Sequence, residues 1–591
     1  MAHSTHASIA TQRIVPEPPK PRGEERLDGW GFADSGFRID ANGEVEFGGS
    51  RYAIGGKKIP SLLPWGTGIF DAPLDPRDRN SPQYPTRVPE RVANEAFERA
   101  LAEKLDSARI SRDPQQRLRH GHGHTQEDMW GAKWGSFARV PDLVVWPASE
   151  DEVRVVVELA RAHRACVIPF GGGTNVTDAL RCLEAEKRTI VSLDMRRMNR
   201  VLWIDPENRT ACIQAGATGS EIEEVLGRHG FTSGHEPDSQ ELSTLGGWVA
   251  TNASGMKKNR YGNIEDLLLS ISAITPDGGE LARAPSARES VGGDPARWLI
   301  GSEGRLGIVT SAIVKVFPLP KVRRFGSVLF KSFEQGFAFV RDVERAGCKP
   351  ASIRLMDNLQ FQFGQAVKPA KSGAAALVSR IEKDFVLGVK GFDANQMVAC
   401  TLLFEGEAHE VAAQERGVYA LARQHRGMKA GAENGRRGYE LTFAIAYIRD
   451  FIMEHWVVAE SFETTVPWSQ VLGVVNGVKR RIHEEHAARR LPGKPFISVR
   501  VTQLYEAGAC LYFYFAFYYK GVEHPSEVFG ELERAARDEI LKNGGSLSHH
   551  HGIGKLRSAF LPRVFSPAAL AWRERLKAAL DPENVLGSGN G

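Results

Sequence analysis

The sequence predicts an α+β protein of more than one domain, and three observations lead to that fold class. Between residues 141 and 320, short apolar runs alternate with amphipathic helical patterns, as in a domain of helices and short sheets. Between residues 322 and 543, strand-like runs alternate with longer helical patterns, which predicts a second, α/β domain with one antiparallel sheet covered by helices. A length of 591 residues exceeds that of one ordinary domain.

Composition and charge exclude several classes of protein. The chain is 42% hydrophobic and 25% charged with a formal net charge of +4, which gives no indication of nucleic-acid binding. The six cysteines are scattered without a C-x-x-C pair, which favours a reducing compartment over a disulfide framework or a thiolate metal site. The most apolar run, 509–519, is shorter than the roughly 20 residues of a membrane-spanning helix, so any membrane contact is expected to be peripheral.

The chain divides into five predicted regions. They are a disordered arm at 1–26, a partly helical region at 27–136, the first α+β domain at 137–320, the second domain at 321–543 and a C-terminal segment at 544–591.

Two segments and three histidines stand out in the region 27–136. Residues 60–76 read as a loop because prolines and glycines interrupt the apolar residues, whereas 92–105 reads as an amphipathic helix. His120, His122 and His124 alternate with glycines. A metal site is one interpretation of them, and a solvated loop is favoured because no carboxylates stand at ligand spacing.

The first α+β domain is predicted from its strands and one clear helix start. Ser149 and Glu152 form a capping-box pattern that opens a helix, and a second helix is predicted at 220–229. The predicted strands are 143–146, 166–169, 190–193, 201–204, 210–215, 267–275 and 308–316.

A triple glycine follows the second of these strands. The run C-V-I-P-F (166–170) stops at Gly171, Gly172 and Gly173, and Thr174 and Asn175 come next. Glycines allow several backbone N–H groups to converge on one anion, and a diphosphate is the guest that such a nest suits. The spacing matches neither the P-loop nor the Rossmann fingerprint. A plain glycine-rich turn is the alternative for this loop taken alone.

Two further glycine stretches, STLGGWVATNASG (243–255) and GSEGRLGIVT (301–310), follow in order. Together the three stretches resemble the flavin-binding domain of the vanillyl-alcohol-oxidase superfamily. The resemblance implies an FAD cofactor, and non-covalent attachment is expected because the triple-glycine loop contains no cysteine or histidine. The residues expected at the cofactor are Pro169, Phe170, Gly171, Gly172, Gly173, Thr174, Asn175, Asp238, Ser239, Gln240, Glu241, Leu242, Ser243, Thr244, Thr251, Asn252, Ala253, Ser254, Glu303, Gly304, Arg305, Leu306, Gly307, Ile308 and Val309.

The second domain contains a strand with strict alternation. Predicted strands cover 327–330, 398–404, 498–504 and 509–519. In the last of them Phe513, Phe515 and Phe517 fall on one face, and Tyr512 and Tyr514 fall on the other. The phenylalanine face is expected in a core against helices, which leaves the tyrosine face for the flavin.

From about residue 29 to 586 the chain also resembles the alkyldihydroxyacetonephosphate synthases. The motifs that carry this resemblance are GHEPDS (234–239), GMKKN (255–259), ASIRLMDN (351–358), YIRD (447–450), YFYFAF (512–517) and SHHHGIGKLR (548–557). The resemblance implies exchange of the acyl chain of acyl-dihydroxyacetone phosphate for a long-chain fatty alcohol, through a substrate adduct at flavin N5 and without net oxidation.

Two arginines match functional positions of that family. Arg449 is expected to bind the substrate phosphate, which suits the planar bidentate donor of arginine, and Arg354 is expected to support the flavin and the active site. From spacing alone, structural ion pairs with Asp450 and Asp357 are the favoured alternative.

Tyr512 matches the family's catalytic tyrosine, the expected base for a proton next to the substrate carbonyl. An unperturbed phenol, with a pKa near ~10, is a poor base at neutral pH, so neighbours that lower its pKa are expected. His549, His550 and His551 are the candidates, and no metal is expected because adjacent side chains diverge.

Several expectations rest on the resemblance alone. They are a homodimer, peripheral membrane contact, and a location on the lumenal side of the peroxisomal membrane, although no targeting signal is recognisable; a cytoplasmic location is the alternative. Arg305 stands where the family usually has threonine. An FAD-dependent 2-hydroxy-acid oxidase or dehydrogenase is the alternative function, and a non-catalytic flavoprotein is a third reading.

Overall fold

The structure is a computed structural model that describes residues 13–370, 388, 390–587 and 589–590. The region up to residue 136 combines a small antiparallel sheet with four helices. Its elements are β1 (Gly36–Ile39), β2 (Val45–Gly48), β3 (Lys57–Lys58), α1 (Leu62–Phe70), α2 (Glu95–Lys104), β4 (Ile110–Ser111), α3 (Pro114–His120) and α4 (Gln126–Lys133).

Two expectations for this region are wrong. The segment 60–76 contains helix α1, whose Leu62, Gly66 and Phe70 recur at the helical spacing and are buried. Its only proline lies in the first turn, where a missing N–H costs little. Residues 13–26 of the expected disordered arm lie on the first α+β domain, where Ile14 exchanges two backbone hydrogen bonds with Ile204. Residues 1–12 lie outside the described part of the chain.

The first α+β domain is built on two larger sheets and a two-stranded ribbon of β10 and β14, in agreement with the predicted short sheets. The strand order is β4-β5-β7-β6 in one sheet, whose last three strands are parallel, and β12-β11-β13-β9-β8 in the other, which is antiparallel. The elements are β5 (Leu143–Val145), α5 (Glu150–Ala162), β6 (Cys166–Phe170), β7 (Ile190–Asp194), β8 (Val201–Asp205), β9 (Thr210–Gln214), α6 (Gly219–Arg228), β10 (Phe231–Thr232), α7 (Leu245–Thr251), α8 (Lys258–Tyr261), α9 (Ile264–Leu267), β11 (Leu268–Ile274), β12 (Glu280–Leu281), β13 (Ile308–Lys315) and β14 (Phe317–Pro318).

The second domain carries one seven-stranded antiparallel sheet with the order β18-β15-β17-β16-β20-β21-β19, which confirms the predicted architecture. The sequence prediction missed β16, β19 and the two-residue β18. Its elements are β15 (Val322–Phe330), α10 (Phe333–Arg345), β16 (Ser352–Met356), α11 (Asn358–Ala366), β17 (Val398–Gly406), α12 (Ala408–Gln424), β18 (Met428–Lys429), α13 (Ala432–Met453), β19 (Val457–Pro467), α14 (Val471–Ala488), β20 (Phe496–Leu504), β21 (Gly508–Tyr518) and α15 (Pro525–Lys542). The C-terminal segment adds α16 (Leu561–Val564) and α17 (Pro567–Leu580).

The two faces of this sheet have different roles. One face forms the largest core, in which Phe513, Phe515 and Phe517 pack with side chains of α14 and α15. The tyrosine face of β21 turns instead toward a cavity beside α13. The predicted division of the strand into a phenylalanine face and a tyrosine face is therefore confirmed. Among the described residues, none of the helices combines the length and apolar character that crossing a bilayer requires.

Candidate active site

A cavity of about 400 Å³ lies where the first α+β domain, the antiparallel sheet and the C-terminal segment meet. The three glycine stretches line one part of it, and polar side chains of β16, β19, β20 and β21 line another. A third part is apolar and is walled mainly by α1, α11 and α13.

The triple-glycine loop forms a tight wall at the first part of the cavity. A Cβ atom on Gly172 would lie 1.9 Å from the backbone oxygen of Leu242, and Gly173 has a φ of +65°. The side-chain nitrogen of Asn175 is buried without a hydrogen-bond partner. Thr244 caps the N-terminus of α7 at the same wall. These backbone amides, small polar side chains and a helix N-terminus suit a dinucleotide diphosphate, so the residues fit FAD.

Nineteen of the 25 residues predicted at the cofactor line this cavity. They are Pro169, Phe170, Gly171, Gly172, Gly173, Thr174, Asn175, Asp238, Ser239, Ser243, Thr244, Thr251, Ala253, Ser254, Glu303, Gly304, Gly307, Ile308 and Val309.

The other six predicted residues are not part of the cavity lining. The backbone oxygen of Gln240 accepts the N–H of Ser220. The backbone oxygen of Leu242 is the atom that Gly172 approaches closely. Asn252 ends α7 in the left-handed conformation, and Leu306 packs on the domain core. The remaining two are charged groups with partners elsewhere: Glu241 accepts from the Tyr52 hydroxyl at 2.7 Å, and Arg305 pairs with Glu574 of α17 at 3.0 Å.

Glu303 connects the flavin domain to the C-terminal segment. Its carboxylate accepts the backbone N–H groups of Ile553 and Gly554, at 3.0 and 2.8 Å. Asn590 donates to the backbone oxygen of Glu303 at 2.9 Å. Glu303 therefore holds the segment that follows the three histidines against the cofactor wall.

We expect Gly172→Ala to lose FAD, because the added Cβ would overlap a backbone oxygen that cannot rotate away. Absorbance of the purified protein and release of FAD on denaturation measure the loss. Gly227→Ala in α6 is the matched control, since its Cβ would meet nothing within 4 Å. Full FAD content in Gly172→Ala would contradict the assigned cradle.

Two arginines share one carboxylate at the polar part of the cavity. Asp238 accepts from Arg354 at 3.2 Å and from Arg500 at 2.9 Å, while Arg354 also donates to the Thr442 hydroxyl at 2.6 Å. All lie in the cavity wall, so this cluster leaves one positive charge in excess. The expected alternative partner of Arg354, Asp357, pairs instead with Lys479 at 2.6 Å, so that expectation is wrong.

Arg500 did not figure among the predicted site residues. It lies on β20 directly across from Tyr512 on β21, and its guanidinium carbon is 4.6 Å from the centre of the Tyr512 ring. The sequence does show an arginine on the predicted strand that precedes the tyrosine strand. It does not show the pairing register that places this arginine across from Tyr512.

Arg449 lines the cavity within a network of acceptors. Its guanidinium donates to Asp450 at 2.9 Å, approaches Glu460 at 3.5 Å and donates to the backbone oxygen of His124. The ion pair with Asp450, which spacing alone favoured, is thus present. The same side chain faces the cavity, so an anionic ligand would meet a fixed cation.

The histidines around the start of α4 are buried, which contradicts the favoured solvated loop. His120 Nε2 lies 2.9 Å from Asp194 Oδ2, and the His122 ring stacks on Phe137. The expectation failed because polar partners and rings from distant segments cover them, which spacing in sequence does not show.

Tyr512 meets His550 and His551 in the cavity, and His549 lies next to them. The Tyr512 hydroxyl lies 3.0 Å from Ser461 Oγ and 3.3 Å from His551 Nε2, and the His550 ring stacks beside the phenol. His549 Nε2 lies 2.6 Å from the Tyr505 hydroxyl. The structure therefore places His551 within hydrogen-bond distance of the tyrosine.

A buried glutamate, Glu463, fixes this histidine segment. Its carboxylate accepts the backbone N–H groups of His549 and His551 and the hydroxyl of Ser548. Since β19 and β21 pair in register with Glu463 opposite Tyr512, the segment is held close to the phenol.

The expectation that neighbours lower the pKa of Tyr512 is wrong. Burial, with the nearby Tyr514 and Asp238, raises the pKa well above its ordinary value and outweighs Arg500. Burial also lowers the pKa of His549 to about 3, and that of His551 well below its usual range. The phenol and these imidazoles are therefore neutral at neutral pH, so the tyrosine needs a separate acceptor for its proton.

Cys510, His549 and His550 are the described side chains that group like metal ligands. The two Nδ1 atoms lie 2.7 Å apart. Two nitrogens at the usual distance from one tetrahedral zinc lie roughly 3.3 Å apart, so 2.7 Å is the spacing of a hydrogen bond between the rings.

Comparisons with known proteins match both halves of the chain. The family described as "FAD binding domain" matches residues 141–283, and the family described as "FAD linked oxidases, C-terminal domain" matches residues 319–590. The predicted flavin fold and the FAD cofactor are thereby confirmed.

Two full-length relatives carry the same name. An alkyldihydroxyacetonephosphate synthase from Caenorhabditis elegans is 44% identical and covers 99% of this chain and 98% of its own. A solved structure of an alkyldihydroxyacetonephosphate synthase is 28% identical, with a TM-score of 0.82, over 95% of this chain and 98% of its own. The glycolate oxidase subunit GlcD of Bacillus subtilis is more distant, at 24% identity over 77% of this chain and 89% of its own.

Proposed function

The chain belongs to the alkyldihydroxyacetonephosphate synthase family, and from this membership we infer that it is an FAD-dependent enzyme of ether-lipid biosynthesis. It exchanges the acyl chain of acyl-dihydroxyacetone phosphate for a fatty alcohol and releases a fatty acid. The full-length identity carries this conclusion, since a flavin domain alone does not select a reaction.

FAD, when bound at the glycine stretches, would supply an electrophilic ring nitrogen for the reaction. The residues of this chain orient that cofactor. Gly171, Gly172, Gly173 and the N-terminus of α7 line the cavity and would hold its diphosphate through backbone N–H groups.

Arg449 binds the phosphate of the substrate. The position of its guanidinium in the cavity wall and its fixation by Asp450 support this role, because a planar donor held in place loses little freedom on binding a phosphate. Arg354 and Arg500, held by Asp238, add positive charge on the strands of the same cavity.

The apolar part of the cavity accepts the hydrocarbon chains. Its walls come from α1, α11, α13 and neighbouring strands, and a dry apolar wall binds an alkyl chain in proportion to the area that it covers. The apolar side chains that line this part include Leu62, Leu63, Trp65, Phe70, Phe363, Ile445, Ile452 and Phe496.

Tyr512 moves the proton next to the substrate carbonyl. Its hydroxyl faces the cavity and has two polar neighbours, Ser461 Oγ and His551 Nε2, which support this role. His550 stacks beside the phenol, and His549 packs behind it against His550 and Tyr505.

Membrane contact, a homodimer and a peroxisomal location are further proposals, with a cytoplasmic peripheral location as the alternative. An enzyme with long-chain substrates is expected to act at a lipid surface, and Phe565 and Trp572 are exposed apolar side chains near the C-terminus.

Sedimentation with phospholipid vesicles tests the membrane contact. We expect the protein to bind the vesicles and Trp572→Ser to weaken this binding. Unchanged binding in that variant would place the contact elsewhere.

One experiment separates this function from a 2-hydroxy-acid oxidase. Purified protein is incubated with acyl-dihydroxyacetone phosphate and labelled fatty alcohol, and the label is expected in an alkyl ether that resists alkaline hydrolysis. Hydrogen peroxide or dye reduction with a 2-hydroxy acid, without any ether product, would overturn the assignment.

A further inference from the structure

Glu460 is a carboxyl group whose side chain is 12% exposed; it faces the same cavity as Tyr512 and has no part in the function proposed so far. Its Oε1 accepts the backbone N–H of Ser461 at 2.9 Å and lies 3.4 Å from Ser461 Oγ. Ser461 Oγ lies 3.0 Å from the Tyr512 hydroxyl. A continuous chain of polar atoms therefore connects the phenol to the carboxylate.

Building on the function proposed above, we propose that Glu460 receives, through Ser461, the proton that Tyr512 takes from the substrate carbon, and later returns it. The substrate C–H bond breaks, its electron pair stays with the substrate, and its proton binds the phenol oxygen. The phenol proton passes to Ser461 Oγ, and the serine proton passes to Glu460 Oε1. The reverse transfers restore the starting state, so no other reactant is needed.

Electrostatics favour Glu460 over the histidines as the acceptor. Burial raises the pKa of Glu460 to about 7, with Glu533 of α15 adding to the rise and Arg449 of α13 opposing it. Tyr514 of β21 also faces the carboxyl group, and His124 contacts the same Arg449. Burial instead lowers the pKa of His551, which lies near Arg557 and Arg537. A carboxyl that titrates near neutral pH both takes and gives a proton there.

The pH dependence of kcat/KM in the FAD-loaded enzyme tests the inference. The carboxylate form is the acceptor, so activity is expected to fall as pH drops through a midpoint near 7. Glu460→Gln removes the titrating group, and we expect this midpoint to disappear and turnover to fall by roughly 10²-fold. Exchange of the substrate hydrogen into deuterated water, followed by NMR, should fall by a similar factor.

Three further variants distinguish a proton acceptor from a structural residue. Ser461→Ala breaks the chain and should lose the hydrogen exchange, whereas Ser461→Thr keeps a hydroxyl and should retain most of it. Glu533→Gln removes a negative neighbour, so it should shift the midpoint to lower pH without abolishing it. FAD content and thermal unfolding verify that each variant is folded.

The inference is overturned if folded Glu460→Gln keeps the wild-type midpoint or turnover, or if Ser461→Ala exchanges hydrogen like the wild type. A wild-type enzyme that forms no ether product overturns the proposed function, and this inference with it. Ether formation together with an unchanged midpoint in Glu460→Gln overturns the inference alone.

Discussion

Tyr512→Phe is expected to lower turnover by roughly 10²–10⁴-fold while leaving the fold and the FAD content intact. The change removes one hydroxyl oxygen and keeps the ring, so the packing against His550 survives. The lost oxygen lies between Ser461 Oγ and His551 Nε2. No other group occupies that position, so none remains to move the substrate proton. Single-turnover rates and hydrogen exchange into deuterated water measure the effect.

Tyr514→Phe is the matched control, since Tyr514 lies on the same strand face and lines the same cavity. It is not part of the hydrogen-bond chain from Tyr512 to Glu460, so hydrogen exchange should persist. Equal losses in both variants, or normal turnover in Tyr512→Phe, would move the proton-transfer role to another group. His551 would then be the first candidate, because it is the histidine within 3.3 Å of the phenol.

The parts of the fold that follow from local patterns were predictable. The glycine loop after β6 and the alternation along β21 depend on neighbouring residues, and both were found in the structure. Helix α1 was missed because its proline and glycines resemble a loop, although burial against α11 and the cavity stabilises the helix. Strand β19 was missed because Glu460, Ser461 and Glu463 interrupt its apolar pattern, and these are the side chains that face polar partners in the site.

The identity of the site residues could be predicted by resemblance, but their electrostatics could not. Arg449 and Tyr512 stand in motifs that can be read from the sequence. Arg500 lies next to Tyr512 because β20 and β21 pair in a particular register, and local sequence patterns do not specify that register. The rise in the pKa of Tyr512 comes mainly from burial by segments far apart in the chain, and no local motif reports it.

Arg449→Lys is expected to raise the KM for acyl-dihydroxyacetone phosphate by roughly 10–100-fold, equivalent to the loss of one charge-assisted hydrogen bond. Lysine keeps the charge but not the fork that lets arginine contact Asp450 and a phosphate together. The KM for the fatty alcohol, which has no phosphate, should hardly change. Steady-state kinetics with each substrate varied in turn measure this difference within one variant.

Arg449→Ala is expected to be more damaging and less informative. It leaves the buried carboxyl groups of Asp450 and Glu460 without their cation, and breaking such a pair costs about 3–5 kcal/mol of stability. Arg437→Lys on the same helix is the control, because its guanidinium bonds Asn434 instead of the cavity groups. An unchanged KM for acyl-dihydroxyacetone phosphate in FAD-loaded Arg449→Lys would contradict the phosphate assignment. The phosphate would then belong to Arg354 or Arg500, the other cations of the cavity wall among the described residues.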